Sequence, residues 1–145
     1  MDFLARREHS FYELQQKLLI KFAEAPPELV KEVMERLRDE NLQSDKRFAE
    51  SYIRYRKSRG FGYLHIRTDL ATRRVQESIL STCLFEDDED WQQLAQQLVE
   101  KKLNHEEKLD FGSKPHLRIM RLLESRGFSN LEIRKALELR LNYSS

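Results

Sequence analysis

The chemistry-bearing residues of this chain crowd into positions 46 to 76, where nine Lys and Arg stand against two Asp and Glu. Arg47, Arg54 and Lys57 fall at i, i+7 and i+10, on a helical face largely separate from Phe48 and Tyr52. Arg56 and Arg59 add charge near the next turn, and Arg67 and Arg74 lie seven apart beyond it, with Arg73 beside the latter. The planar guanidinium fork pairs with phosphate and carboxylate. Tyr55, Phe61 and Tyr63 interleave with these cations, a mixture suited to stacking bases while attracting a phosphate backbone. Tyr63 is the stacking candidate, and nucleic acid or a protein–nucleic acid complex is the expected partner. The competing reading is that the aromatics are core and the cations are solvated. In that case the acidic block from 77 to 112, ten acids against three bases, neutralises them in the fold.

Catalysis finds no comparable support. His9, His65, His105 and His116 show none of the three- or four-residue spacings that put two metal ligands on one helix face, and a single cysteine, Cys83, makes no zinc pattern. No phosphate-binding loop or dinucleotide fingerprint occurs, and Gly60-Phe61-Gly62 reads as a turn between helices. His9 is expected to be exposed or to cap a helix, and Cys83 to be a small buried hydrophobe. Five consecutive acids, Glu86 to Asp90, lack the alternation and the glycine of a calcium loop. They are expected to meet the positive end of the helix beginning at Trp91, with an acidic docking surface as the alternative. No catalytic residue, metal or cofactor is expected.

The elements that must position these residues are helical. The chain has 145 residues, 39% hydrophobic and 35% charged, with a net charge of +1. Its mean hydropathy is −0.74. That composition excludes collagen-like and Pro/Gly-rich disordered classes. No apolar run is long enough to span a membrane, and no secretory signal is visible. A lone cysteine fits a reducing, cytoplasmic setting. Ser10 and Glu13 form a capping box ahead of Phe11, Leu14, Leu18 and Phe22. Pro26-Pro27 starts a helix with Leu29, Val30, Val33, Met34 and Leu37 on one stripe, which Asn41 closes. Asp45 is the expected N-cap of a helix turning Phe48, Ala49, Tyr52 and Tyr55 inward. Helices carrying Tyr63, Ile66 and Leu70, then Ile79, Leu80, Cys83 and Leu84, then Trp91, Leu94, Ala95, Leu98 and Val99 follow. A polar break from Asn104 to Gly112 precedes two last helices, 115–126 and 129–142. Alternating strand patterns are absent, so the fold class is all-α.

The pattern repeats at an offset of 52 to 53 residues. Leu14, Leu18 and Ala23 correspond to Ile66, Leu70 and Val75, and then to Ile119, Leu123 and Phe128. Val30 and Met34 correspond to Leu80 and Leu84, and then to Ile133 and Leu137. The expected architecture is an elongated, curved array of three tandem three-helix repeats, at 1–43, 44–86 and 87–145, the first shortened at its N-terminus.

These residues also carry a resemblance. Ala5-Arg6-Arg7-Glu8-His9-Ser10 with Glu13-Leu14 resembles the opening motif of the bacterial RecX family. Arg47-Phe48-Ala49-Glu50-Ser51-Tyr52-Ile53-Arg54, with Arg56, Ser58-Arg59-Gly60 and Gly62, is similar to its central motif. Ile66-Arg67, Leu70 and Arg126-Gly127-Phe128-Ser129 continue the match over essentially the whole chain. The resemblance implies a cytoplasmic, non-enzymatic regulator that binds RecA in its filament with single-stranded DNA and restrains its recombinase, ATPase and co-protease activities. The runner-up is an autonomous DNA-binding protein built from helix-turn-helix-like units. The contact set expected on either reading is Arg47, Arg54, Arg56, Lys57, Arg59, Tyr63, Arg67, Arg73 and Arg74, on a chain that acts as a monomer. Two departures stand out: the glycine the family places before each third helix is Phe22 in the first repeat and Arg74 in the second.

Overall fold

Four helices begin at a serine whose hydroxyl accepts from an orphan backbone donor of the first turn: Ser10, Ser44, Ser113 and Ser129. The computed structural model describes residues 7–143; Met1–Arg6, where the shortened first helix was expected, lie outside the described residues. Helix α1 (Phe11–Lys21) is opened by Ser10, whose hydroxyl accepts from the Glu13 N–H while the Glu13 carboxylate accepts from the Ser10 N–H. Helix α2 (Pro27–Asp39) carries proline at its first position, and Asn41 in the left-handed region (φ 59°) closes it. The remaining helices are α3 (Asp45–Ser58), α4 (Tyr63–Thr72), the short α5 (Glu77–Leu80), α6 (Asp90–Lys102), α7 (Lys114–Ser125) and α8 (Asn130–Leu137).

Contacts divide the chain into two units, and the division cuts through the middle repeat. Unit one contains residues 1–54 and 68–84, and unit two contains 55–67 and 85–145. In unit one, Leu14, Leu18, Val30, Met34 and Leu37 form the core between α1 and α2. In unit two, Ala95, Leu98 and Val99 of α6 pack on Ile119, Leu123, Phe128, Ile133, Ala136 and Leu137 of the α7–α8 hairpin. The repeat positions are therefore core positions, with one exception. Ala23 is exposed, and Ala25, beyond the extra residues before Pro26-Pro27, is half-buried in its stead.

Several local expectations give way. Ser44 caps α3 through its hydroxyl, which accepts from the Arg47 N–H at 3.2 Å. Asp45 is thereby free to accept from the Phe11 N–H at 2.7 Å and from Gln43 Nε2 at 3.0 Å, satisfying an orphan donor at the start of α1. Tyr55 is 57% exposed rather than inward. Phe22 and Leu29, placed on apolar stripes, are about half-exposed. The last helix stops at Leu137 instead of continuing to 142. A 3₁₀ turn, Glu138–Arg140, leads into a two-residue strand β2 (Leu141–Asn142) that pairs in parallel with β1 (Leu109–Asp110). Pairing places Leu109 in the core and supplies a partner for the Phe111 N–H, which donates to the Asn142 carbonyl at 2.9 Å. Among the described residues no helix is long and apolar enough to cross a membrane.

The turn between α7 and α8 shows why glycine matters there. Gly127 has φ +93°, and a Cβ on it would stand 2.4 Å from the His65 amide nitrogen. Gly62 closes the same gap from the other side, since a Cβ there would lie 2.8 Å from the Gly127 carbonyl. The approach lets the Gly62 and Leu64 N–H groups at the start of α4 donate to the Arg126 and Gly127 carbonyls at the end of α7, at 2.6 and 3.2 Å. Orphan donors of one helix thus satisfy orphan acceptors of another.

Candidate functional site

The nine candidate residues fall in both units, and each unit treats its share differently. In unit one, Arg47 is half-buried and its Nε pairs with the Glu8 carboxylate at 2.5 Å. Arg73 pairs with Glu13 at 3.3 Å, lies over the Tyr52 ring at 4.8 Å and donates to the Asp69 carbonyl at 3.1 Å. Tyr52 itself donates to the Asp69 carboxylate at 2.6 Å. Arg74 takes the left-handed conformation glycine would have supplied (φ 57°), and its guanidinium sits 4.3 Å from the centre of the Tyr12 ring. Arg54 is exposed and forms no ion pair with another described residue.

In unit two, Lys57 is drawn into the structure. Its ammonium meets Asp88 at 2.6 Å and Asp90 at 2.9 Å, 4.7 Å from the ring of the fully buried Trp91. Burial works against the charge on Lys57, but hydrogen bonds and charge from the two aspartates outweigh it and hold its pKa above the ordinary lysine value. Partial burial likewise opposes ionisation of Asp88. The bonds from Lys57 and from the Asp90 N–H nevertheless hold that carboxyl below the usual range. Two of the five consecutive acids therefore serve Lys57 and the turn, rather than capping α6 by side chain. Tyr63 packs edge-on to Trp91 at 6.0 Å, and its hydroxyl accepts from Arg67 at 3.3 Å. Arg59 is exposed, with no ion pair to another described residue. Arg56 lies over Phe61 at 4.9 Å.

Sequence reasoning missed Arg126, whose guanidinium lies over the same Phe61 ring at 4.8 Å and donates to the Arg59 carbonyl at 3.2 Å. The only signal was its place in the Arg126-Gly127-Phe128-Ser129 motif.

The remaining titratable groups play structural parts. His9 is buried, contrary to the exposed or capping role expected. Its Nε2 accepts from the Lys17 ammonium at 3.1 Å and its Nδ1–H donates to the Arg7 carbonyl at 3.0 Å, the one tautomer compatible with both. Burial, with the nearby charges of Arg7 and Lys17, lowers its pKa below the ordinary histidine value. The His9 carbonyl accepts from buried Gln43 at 3.1 Å. Cys83 is half-buried, and burial together with the Glu50 charge pushes its thiol up, away from the reactive thiolate. Among the described residues no group of three or more His, Cys, Asp or Glu is placed to hold a metal ion.

Capped helices, core positions that recur every 52 to 53 residues and a basic middle segment define a tandem three-helix repeat protein. Comparison with known proteins makes this specific. Residues 44–84 match the model of the RecX second three-helix domain. A regulatory protein RecX of Pseudomonas syringae pv. tomato is 37% identical over 128 residues, covering 88% of this chain and 80% of that one. That of Xanthomonas axonopodis pv. citri is 35% identical over 136 residues, covering 94% and 82%. The match to the Pseudomonas fluorescens protein, 39% identical over 102 residues, spans 70% of this chain and 64% of the relative. The crystal structure of RecX from Lactobacillus salivarius shares the fold, with a TM-score of 0.72 at 21% identity over 94% of this chain and 88% of that one. The chain belongs to the RecX family, whose members named here are regulatory proteins.

Proposed function

We propose that this chain is a non-catalytic, cytoplasmic regulator that binds RecA in its filament with single-stranded DNA and restrains RecA's recombinase, ATPase and co-protease activities. The observation that carries the reading is the uneven engagement of the basic segment. Arg47, Lys57 and Arg73 are paired internally, whereas Arg54 and Arg59 stay exposed and form no ion pair with another described residue. Such cations attract the phosphates and acidic protein surface that a nucleoprotein filament presents together. The repeat boundaries at 43/44 and 86/87, and action as a monomer, belong to the same proposal.

A second reading is direct DNA binding, favoured by exposed Tyr55 beside the arginines. Titrating the protein into RecA turning over ATP on single-stranded DNA, with anisotropy of bare DNA as the control, separates the two. Inhibition with weak binding to bare DNA supports the filament-directed regulator. Tight, salt-sensitive binding to bare DNA with no change in turnover supports the second reading. The double variant Arg54→Glu/Arg59→Glu is expected to weaken inhibition with helicity intact, and undiminished inhibition would move the contact surface elsewhere.

A further inference from the structure

Three arginines converge on the turn between α3 and α4. Arg56 and Arg126 both lie over the Phe61 ring, at 4.9 and 4.8 Å, and His65 packs against that ring at 4.3 Å. Arg126 is fixed twice more: its Nη1 donates to the Arg59 carbonyl at 3.2 Å, and its own carbonyl accepts from the Gly62 N–H at 2.6 Å. That hydrogen bond brings Arg126 to the backbone of Arg59, whose side chain is exposed. Neither Arg59 nor Arg126 forms an ion pair with another described residue.

The geometry leaves Arg59 and Arg126 ready for an anion. A guanidinium held over an aromatic ring consumes none of its five donors in that contact. Arg126 uses one of them on the Arg59 carbonyl, which leaves the rest of a fixed guanidinium fork able to donate to a phosphate. Tyr55 stands at the rim, 57% exposed and with its ring 5.9 Å from the Arg56 guanidinium. An acidic peptide needs cations alone, whereas an exposed aromatic face beside them matches phosphates with a base between.

We infer that Phe61 is a positioning residue that holds Arg56 and Arg126 beside Arg59, the three forming a phosphate-binding site for single-stranded nucleic acid, with Tyr55 as its stacking platform. This rests on the reading that the basic middle segment meets a nucleic-acid-containing partner. It adds a residue from the last repeat, Arg126, to that contact.

The test uses the full chain and a fluorescein-labelled oligothymidylate, followed by anisotropy over a range of salt. Arg126→Gln is expected to weaken binding roughly tenfold at low salt, the loss of about one charge-assisted contact. It should also reduce the slope of log K against log salt by about 0.7 for each phosphate released. Phe61→Leu is expected to weaken binding with unchanged helicity, and Phe61→Tyr, which keeps the ring, to restore it. If Arg126→Gln fails to fold, Arg59→Gln on the exposed side chain carries the same expectation. Wild-type binding that none of these variants alters overturns the site while leaving the regulator reading intact. A wild-type protein that inhibits RecA turnover yet binds no oligonucleotide overturns nucleic acid as the occupant. A protein that does neither overturns the underlying reading as well.

Discussion

The α1–α2 hairpin of unit one and the α7–α8 hairpin of unit two share one apolar register, yet one face is covered by a third helix in unit two and hollow in unit one. In unit two, α6 lies on the hairpin over Leu123, Ile133 and Ala136, while a hollow of about 540 Å³ remains against His116, Met120, Ile133 and Leu137. In unit one the corresponding face keeps a hollow of about 300 Å³ lined by Leu18, Phe22, Ala25, Leu29, Val30 and Val33. The polar devices differ too. Unit one buries His9, Ser10 and Gln43 at the head of α1, whereas unit two places the ion pairs of Lys57 beside Trp91. A repeated apolar pattern therefore specifies which residues face inward. Whether a given face is covered depends on another helix bringing its own stripe to it.

The largest effect is expected from removing the anchor of α6. Trp91 is fully buried and its indole N–H donates to the Phe85 carbonyl at 2.6 Å. Trp91→Ala is expected to destabilise the protein by about 3–5 kcal/mol in urea unfolding. An unmoved midpoint would mean that α6 does not hold this unit together.

The two turns give the next test. Gly127→Ala combines a left-handed backbone with a Cβ overlapping His65, and is expected to cost about 2–4 kcal/mol. At Arg74, relief of left-handed strain in Arg74→Gly opposes loss of the Tyr12 contact, so its midpoint should shift by about 1 kcal/mol or less. Equal effects at the two positions would erase the distinction between these turns.

Lys57→Met leaves Asp88 and Asp90 without their cation. It is expected to lower stability by about 1–2 kcal/mol, read by thermal unfolding at low salt. No change would mark the pairs as surface decoration.

Acid weakens both units, each in its own pH window. His9 titrates below its ordinary 6.5 in the folded state, so the unfolded chain takes up the proton first. Its contribution is complete above pH 6.5 and is lost as pH falls below that value. Asp88 is depressed below 3.8, so its contribution survives until pH drops past that point. Hydrogen exchange between pH 6 and 4.5 should quicken at Leu14 before it does at Trp91, and His9→Gln should flatten the early phase. Simultaneous loss in both units would assign the acid response to other groups.

Local chemistry was legible in the chain itself. The Ser10–Glu13 box, the proline start of α2, the Asn41 stop and nearly every core position of the repeat follow from interactions within a few residues and from helical periodicity. The exceptions show where such reasoning ends. Asp45 looked like a cap because its neighbours permit one, but Ser44 does that work while Asp45 serves a different helix. Tyr55 continued an apolar stripe yet lies mostly exposed, and α8 yielded its last turn to a pairing with Leu109, 32 residues earlier. The candidate site divides in the same manner. That positions 46 to 76 are basic is a property of the sequence. Which cations are spent on Glu8, Glu13, Asp88 and Asp90, and that Arg126 joins Phe61, depends on partners many residues away. Periodicity carries no information about such pairings, because a side chain's charge is written in the sequence while its neighbours are chosen only when helices pack.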